Sequence, residues 1–182
     1  MSREKTPKTF SDAQLAIITE SAAMAEELVS NHYKMSASQW LRRRYDFKTR
    51  VDLAPEEIVS GPFAQIIRYE GKKDDRALGS SSYDFYKVCL QDHEILSALE
   101  NSPDIDLFPF SLYITTHELI HIVRFSKFLC NFEASAPERM TEETRVHEKT
   151  RLILREVSVS GMARVLKFYE KWHAPLDGLS AP

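Results

Sequence analysis

The most constraining feature of this sequence is the segment from Leu107 to about Asn131, which predicts a long helix that is apolar on nearly all sides. A helix that is hydrophobic all round is buried, so we expect the other elements to pack around it. The segment also contains His117, Glu118 and His121. A buried carboxylate beside two imidazoles is costly unless it is paired or lies near a cation. A bound divalent ion would supply that compensation.

The spacing of these polar residues points to a metal site. Residues four apart lie on the same face of a helix, so His117 and His121 can direct two imidazoles at one metal ion. Glu118 is one position further round and can reach a water on that metal. Arg124, one turn beyond His121, can pair with a carboxylate or hold a substrate carboxylate.

The segment Thr115–Val123, with its His-Glu-x-x-His pattern, resembles the active-site helix of the zincin metallopeptidases. That family usually has uncharged residues inside the motif and a hydrophobic residue shortly after it; the matching residues are Leu119, Ile120, Ile122 and Val123. Ile114 stands where the family more often has Val or Thr. The resemblance covers about ten residues. It implies a zinc-dependent, peptidase-like metallohydrolase in which Glu118 is the general base.

A catalytic zinc normally has three protein ligands, so the resemblance also implies a third donor. Metzincins have a His shortly after the motif, and the corresponding positions here are Arg124 and Lys127, which exclude that branch. Gluzincins use a Glu of a later helix, often about twenty residues on. Glu143 fits this spacing, and Glu142 nearly does.

His147 departs from the gluzincin pattern, because the family usually has an Asp four residues after its ligand Glu. It lies one helical turn from Glu143, on the same face, and can itself be a ligand. Glu148 is a weaker alternative. The candidate metal ligands are therefore His117, His121 and either Glu143 or His147, with zinc as the expected metal and iron as the alternative.

Composition describes an ordinary globular protein. The 182 residues are 43% hydrophobic and 28% charged, with a net charge of −3, so no global field indicates nucleic acid or a membrane as partner. Five glycines and eight prolines disfavour an all-β fold. Two cysteines are too few for a disulfide framework, and we find no signal peptide or transmembrane segment, which predicts a cytoplasmic protein.

The pattern of the whole chain predicts a mainly α fold, a single-domain helical bundle over residues 11–173, with a disordered leader at 1–10 and a tail at 174–182. A small β element is an alternative near residues 63–69, which are ambiguous between helix and strand. The other predicted helices are about 12–33 after the N-cap Ser11, a short one from Pro55, Ser82 to Glu100, one after the N-cap Thr141, and Met162 to Trp172 beyond an interruption at 158–161.

Residues 37–53 interleave basic and aromatic side chains. Such a pattern can bind nucleic acid, but it is more typical of a solvated basic face whose aromatic residues pack inward, and the acidic overall charge favours the second interpretation.

Two other functions use the same residues. Glu118-x-x-His121 is also the pattern of carboxylate-bridged di-iron bundles, although a second copy is missing and only Glu143 with His147, plus Asp92 or Glu94, could replace it. A non-enzymatic interaction or regulatory domain could use the cluster as a structural metal site, or bind no metal. A peptide or small-molecule substrate is expected for the hydrolase; the sequence specifies neither it nor the oligomeric state.

Overall fold

The computed structural model describes residues 8–36, 45–71, 83–127 and 129–171, and over these ranges the chain is mainly α-helical with one small sheet. The helices are α1 (Asp12–His32), α2 (Asp92–Asn101), α3 (Leu107–Ser126), α4 (Ala136–Leu154) and α5 (Met162–Lys171). The strands are β1 (Tyr45–Lys48), β2 (Ala64–Gly71) and β3 (Tyr83–Leu90).

Helix α3 is the centre of the fold, as its apolar sequence predicts. Every residue from Pro109 to Arg124 except Glu118 is buried. The helix contacts α1, α4, α5 and β2, so most of its circumference is covered by other elements. Its burial removes apolar side chains such as Leu119 and Ile122 completely from solvent, which contributes about 1.5–3 kcal/mol for each such side chain.

The first helix begins where the sequence predicts. Ser11 is the N-cap of α1, and its backbone N–H donates to Gln14 Oε1 at 2.9 Å. In return, the Gln14 N–H donates to Ser11 Oγ at 3.3 Å, which completes a capping box. Ile18, Ala25 and Val29 are buried at helical spacing against α3.

The sheet corrects one predicted helix. Strand β3 is central, parallel to β1 and antiparallel to β2. The predicted helix from Ser82 to Glu100 is therefore wrong in its first half, and only α2 is helical there. Tyr86, Val88 and Leu90 are buried on one face of β3 and Cys89 on the other, which weakens the alternation of apolar and polar residues. Phe85, Val88 and Cys89 then fit the helical period as well. The alternative β element near 63–69 is confirmed as β2.

Helix α4 also begins earlier than predicted. Its N-cap is Ser135 and not Thr141, which lies inside the helix and donates its hydroxyl to the Pro137 carbonyl at 3.1 Å. Pro137 occupies the first turn, where a missing N–H costs nothing. The Ser135 N–H and hydroxyl both donate to Glu138, at 2.8 and 2.9 Å. The predicted interruption at 158–161 is confirmed between α4 and α5.

Several predicted segments lie wholly or partly outside the described residues. These are residues 1–7 of the leader, residues 37–44 of the basic and aromatic stretch, Ser82 at the start of a predicted helix, Trp172 at the end of the last predicted helix, and the tail at 174–182. Phe10, which the sequence assigns to the leader, is buried in the core. Within the described ranges, no helix combines the length and apolarity needed to cross a membrane.

Asp92, the first residue of α2, ties two distant segments to this helix. It is buried, and its carboxylate accepts from the backbone N–H of Phe10 at 3.0 Å and of Arg50 at 2.9 Å.

We expect Asp92→Ala to lower the free energy of unfolding by about 3 kcal/mol, because two N–H groups lose their acceptor. Urea denaturation measures this, with the exposed Asp104→Ala as control. Equal midpoints for the two variants would contradict the assigned role.

Candidate metal centre

Three side chains from two helices bring their donor atoms together. His121 Nε2 lies 3.1 Å from His117 Nε2 and 2.9 Å from Glu143 Oε1, and His117 Nε2 lies 3.1 Å from Glu143 Oε2. His117 and His121 are one turn apart on α3, and Glu143 faces them from α4. Ligands of a tetrahedral zinc at about 2.0–2.1 Å are separated from one another by about 3.3 Å. The three contacts are close to this separation, so the donors fit around one small cation.

Protons satisfy only part of this arrangement. Each Nε2–H can donate to its own oxygen of Glu143, but the two imidazole nitrogens, 3.1 Å apart, then make no hydrogen bond with each other. If instead one ring carries no proton at Nε2, it presents a lone pair to the carboxylate. A cation accepts all three lone pairs at once, as neutral imidazole and carboxylate ligands require.

The charges at the site also favour a cation. Among the residues that the structure describes, neither Glu118 nor Glu143 is paired with a lysine or arginine. Burial raises the pKa of Glu118, while His117 and His121 act in the opposite direction. Burial also opposes ionisation of Glu143, but the charges and hydrogen bonds of both histidines outweigh it, so the pKa of Glu143 lies well below its usual range. Without a cation, the two carboxylates are balanced, within the described ranges, only by protonated histidines, and against the effect of burial Glu143 accordingly raises the pKa of His121. A divalent ion would balance the same charge and leave the imidazoles neutral, as ligation requires.

Glu118 is the one residue between Pro109 and Arg124 that is not fully buried. Within the described part of the chain, its carboxylate makes no hydrogen bond or ion pair with a side chain, although it lies close enough to His117, His121 and Glu143 to interact with their charges. A carboxylate without a fixed partner beside a metal site is free to interact with a water or a substrate.

His147 lies next to these donors, one turn along α4 from Glu143. Its Nε2 is 3.6 Å from Glu143 Oε2, and its ring centroid is 4.3 Å from that of His117. Its Nδ1 is 2.7 Å from the hydroxyl of Tyr113. Burial lowers the pKa of His147 to about 3, and the charge of His117 contributes. His147 is thus a neutral imidazole at the more exposed side of the cluster.

The neighbouring Glu142 is occupied elsewhere. It accepts from Arg124 through Nε and Nη2, the second contact at 3.0 Å, and from Arg145 Nη1 at 3.2 Å. Arg124 and Glu142 are both buried, so this ion pair fixes α4 against α3 next to Glu143. The predicted pairing of Arg124 with a carboxylate is confirmed, and Glu142 is thereby unsuited to be a ligand.

The other sequence candidates are not brought to the cluster. Asp92 is held by backbone N–H groups, as described above, and Glu94 lies beside His93 Nε2 at 3.4 Å. Glu148 is exposed. A di-iron site therefore lacks the additional carboxylate that Asp92 or Glu94 would have to supply.

Sequence reasoning missed the two tyrosines that flank the site. Tyr113 and Tyr169 stack with ring centroids 3.7 Å apart and an interplanar angle of 14°. Tyr113 is four residues before His117, which already puts both on one face of α3. No signal in the sequence pairs Tyr169 of α5 with this face.

Comparison of the chain with protein-family models, with curated proteins and with solved structures finds no match.

Proposed function

We propose that this protein is a metal-dependent hydrolase whose metal is held by His117, His121 and Glu143. The observation that carries the proposal is the mutual approach of three side chains, two from α3 and one from α4, whose donor atoms contact one another at 2.9–3.1 Å, each histidine at its own oxygen of Glu143. Two histidines and one carboxylate form a donor set of catalytic zinc sites, and such sites keep a position open for water or substrate. Glu143 is chosen over His147 as third ligand because its oxygens contact both histidines of α3.

When bound, the divalent ion supplies a Lewis acid that lowers the pKa of water and polarises a substrate carbonyl. Glu118 then has the role of general base: its carboxylate accepts the proton of the attacking water and passes it to the leaving amine. Arg124 and Glu142 hold α4 so that Glu143 faces the histidines. Tyr113 and Phe125 cover the imidazoles, stacking on His117 and His121 with ring centroids 6.4 and 5.9 Å apart, and limit the access of bulk water.

A peptide is the favoured substrate class. Strand β2 lies at one edge of the sheet and contacts α3, the helix that carries both histidines. An exposed edge strand can pair with an extended peptide through main-chain hydrogen bonds. The metal expected from the zincin resemblance is zinc. Iron is the alternative, since two histidines and a carboxylate also suit Fe²⁺.

We also infer that residues 11–173 act as one domain. One hydrophobic cluster supports this, since it contains buried side chains of all five helices and of β3.

The test has two steps, metal content and then activity. Protein purified without a histidine tag should carry close to one divalent ion per chain. Glu118→Gln should retain that ion, because residue 118 is not one of the proposed ligands. The variant should hydrolyse peptides at least about 100-fold more slowly, since a general base contributes about 10²–10⁴-fold. The peptide substrate is first selected from a mixed peptide library with the wild-type protein, and the exposed Glu148→Gln is the matched control. Full activity of Glu118→Gln would rule out the assigned base.

A structural metal site in a non-enzymatic domain is the second candidate. His147 favours it, because a fourth protein donor would close a tetrahedral ion and leave no position for substrate. This candidate is preferred if the protein binds its metal tightly and Glu118→Gln changes no activity that the wild type possesses.

A further inference from the structure

The donor cluster does not end at the three closest atoms. Helix α4 carries Glu143 and, one turn later, His147, so the two side chains leave the same face of the helix. The ligand atoms of His117, Glu143 and His147 all lie within 4.8 Å of one another. His147 Nε2 lies 3.6 Å from Glu143 Oε2, which is within the span of two ligands of one ion, about 4.2 Å at bond lengths near 2.1 Å. The 4.8 Å bound for the whole group exceeds that span, so ligation requires a small movement of the His147 side chain toward the other donors.

His147 is held in place in the way that a ligating histidine usually is. Metal-bound histidines commonly use their second ring nitrogen in a hydrogen bond that fixes the tautomer and the ring orientation. His147 Nδ1 is 2.7 Å from the Tyr113 hydroxyl, and Tyr113 is itself stacked on Tyr169. When Nδ1–H donates to the tyrosine oxygen, the lone pair of Nε2 is directed toward Glu143. In contrast, the second nitrogen of His117, Nδ1, is buried without a partner among the described residues.

We propose that His147 is a fourth protein ligand of the same metal ion and that Tyr113 is its positioning residue. The inference rests on the proposed function, since it presupposes that His117, His121 and Glu143 bind a metal. It extends that function from a two-histidine to a three-histidine donor set. A surface histidine that merely caps a tyrosine would explain the Nδ1 contact, but it would leave the approach of Nε2 to Glu143 without a role.

A fourth protein donor has a consequence for the metal. A tetrahedral ion with four protein ligands has no position left for water or substrate, so hydrolysis requires an ion with five or six ligands. The donor set therefore favours a metal that readily accepts six ligands, such as Mn²⁺, Fe²⁺ or Co²⁺, over zinc held as a tetrahedral ion.

Co²⁺ alone is the probe that tests this inference, because the intensity of its visible d–d bands rises as the number of ligands falls. The full chain is loaded with Co²⁺, and its spectrum and dissociation constant are measured for wild type, His147→Ala, Tyr113→Phe and the control Glu148→Ala, an exposed neighbour on α4. Far-ultraviolet circular dichroism of each metal-free variant monitors folding.

We expect weak wild-type bands, typical of five or six ligands, and stronger, shifted bands in His147→Ala together with a dissociation constant at least about 10-fold higher. Tyr113→Phe should keep the wild-type spectrum and weaken binding about 10- to 100-fold, as the loss of a group that orients a ligand does. If His147→Ala does not fold, the affinity of Tyr113→Phe for Co²⁺ still tests the inference. Identical spectra and affinities in wild type, His147→Ala and Tyr113→Phe would overturn the inference and leave the proposed function standing. Absence of Co²⁺ binding by the wild type would overturn both. Wild-type bands of four-ligand intensity that change in His147→Ala would support ligation by His147 and overturn the hydrolase.

Discussion

Replacing His117 with alanine is expected to abolish stoichiometric binding of a divalent ion. His117 lies 3.1 Å from both His121 and Glu143, the other two proposed ligands. It also belongs to the group of ligand atoms that it forms with Glu143 and His147. Its loss removes one of three closest ligands and leaves Glu143 with one imidazole of α3. The affinity should fall by more than the about 10- to 100-fold that is typical of losing an outer partner of a ligand.

Two measurements check this result. Metal content after dialysis should fall from about one ion per chain to the background level. Added metal should also no longer raise the melting temperature of His117→Ala, whereas a ligand present at 100 times its dissociation constant stabilises the wild type by about 2.7 kcal/mol. His93→Ala is the matched control, because His93 lies outside the cluster on α2. Retention of one ion per chain by His117→Ala would show that the metal, if any, is bound elsewhere.

Replacing Arg124 with methionine is expected to destabilise the fold by about 3–5 kcal/mol, the range for breaking a buried ion pair by removal of one partner. Arg124 is 7% and Glu142 8% exposed, so the remaining carboxylate would be buried with the Cys130 thiol and the exposed Arg145 as its partners among the described residues. The measurement is the urea midpoint of the metal-free protein, which separates this effect from metal binding.

The double variant Arg124→Met, Glu142→Met makes this prediction specific. Apolar residues of similar volume can replace a buried ion pair at little cost, so the double variant should recover most of the lost stability. Arg151→Met is the control, since it breaks the exposed pair with Glu170 and should change stability by less than about 1 kcal/mol. A double variant as unstable as the single one would mean that the loss comes from packing of the Arg124 side chain and not from an unpaired charge.

The sequence predicts best where a single local pattern is decisive. The all-apolar segment identifies α3 as the central helix, and Ser11 identifies the start of α1. The two turns of α3 that carry His117 and His121 determine their separation without any tertiary information, because four residues along a helix correspond to one face.

The errors arise where the outcome depends on the rest of the fold. Strand β3 lies between two other strands, and the apolar residues on both of its faces resemble a helical stripe. For α4, Ser135 and Glu138 form the start of the helix, and Pro137 between them suggests a loop until it is placed in the first turn. Thr141 satisfies its hydroxyl within the helix and so only resembles a cap.

The third ligand depends on tertiary structure in the same way. The sequence leaves Glu143 and His147 open as the third ligand, with Glu142 nearly at the right spacing, and the rotation of α4 against α3 distinguishes these three residues. Arg124 forms an ion pair with Glu142, and this pairing turns Glu143 toward the histidines. Tyr169 reaches the site from α5, more than fifty residues after Tyr113, which no local pattern predicts.

Anomalous X-ray diffraction from crystals of the untagged protein, grown with one equivalent of Zn²⁺ and measured on both sides of the zinc absorption edge, tests the shared metal most directly. We expect one strong anomalous peak, about 2.0–2.2 Å from His117 Nε2, His121 Nε2 and a carboxylate oxygen of Glu143. A zinc peak at another position, or no peak while the two imidazoles and Glu143 keep their mutual contacts, would contradict the metal centre and with it the proposed hydrolase.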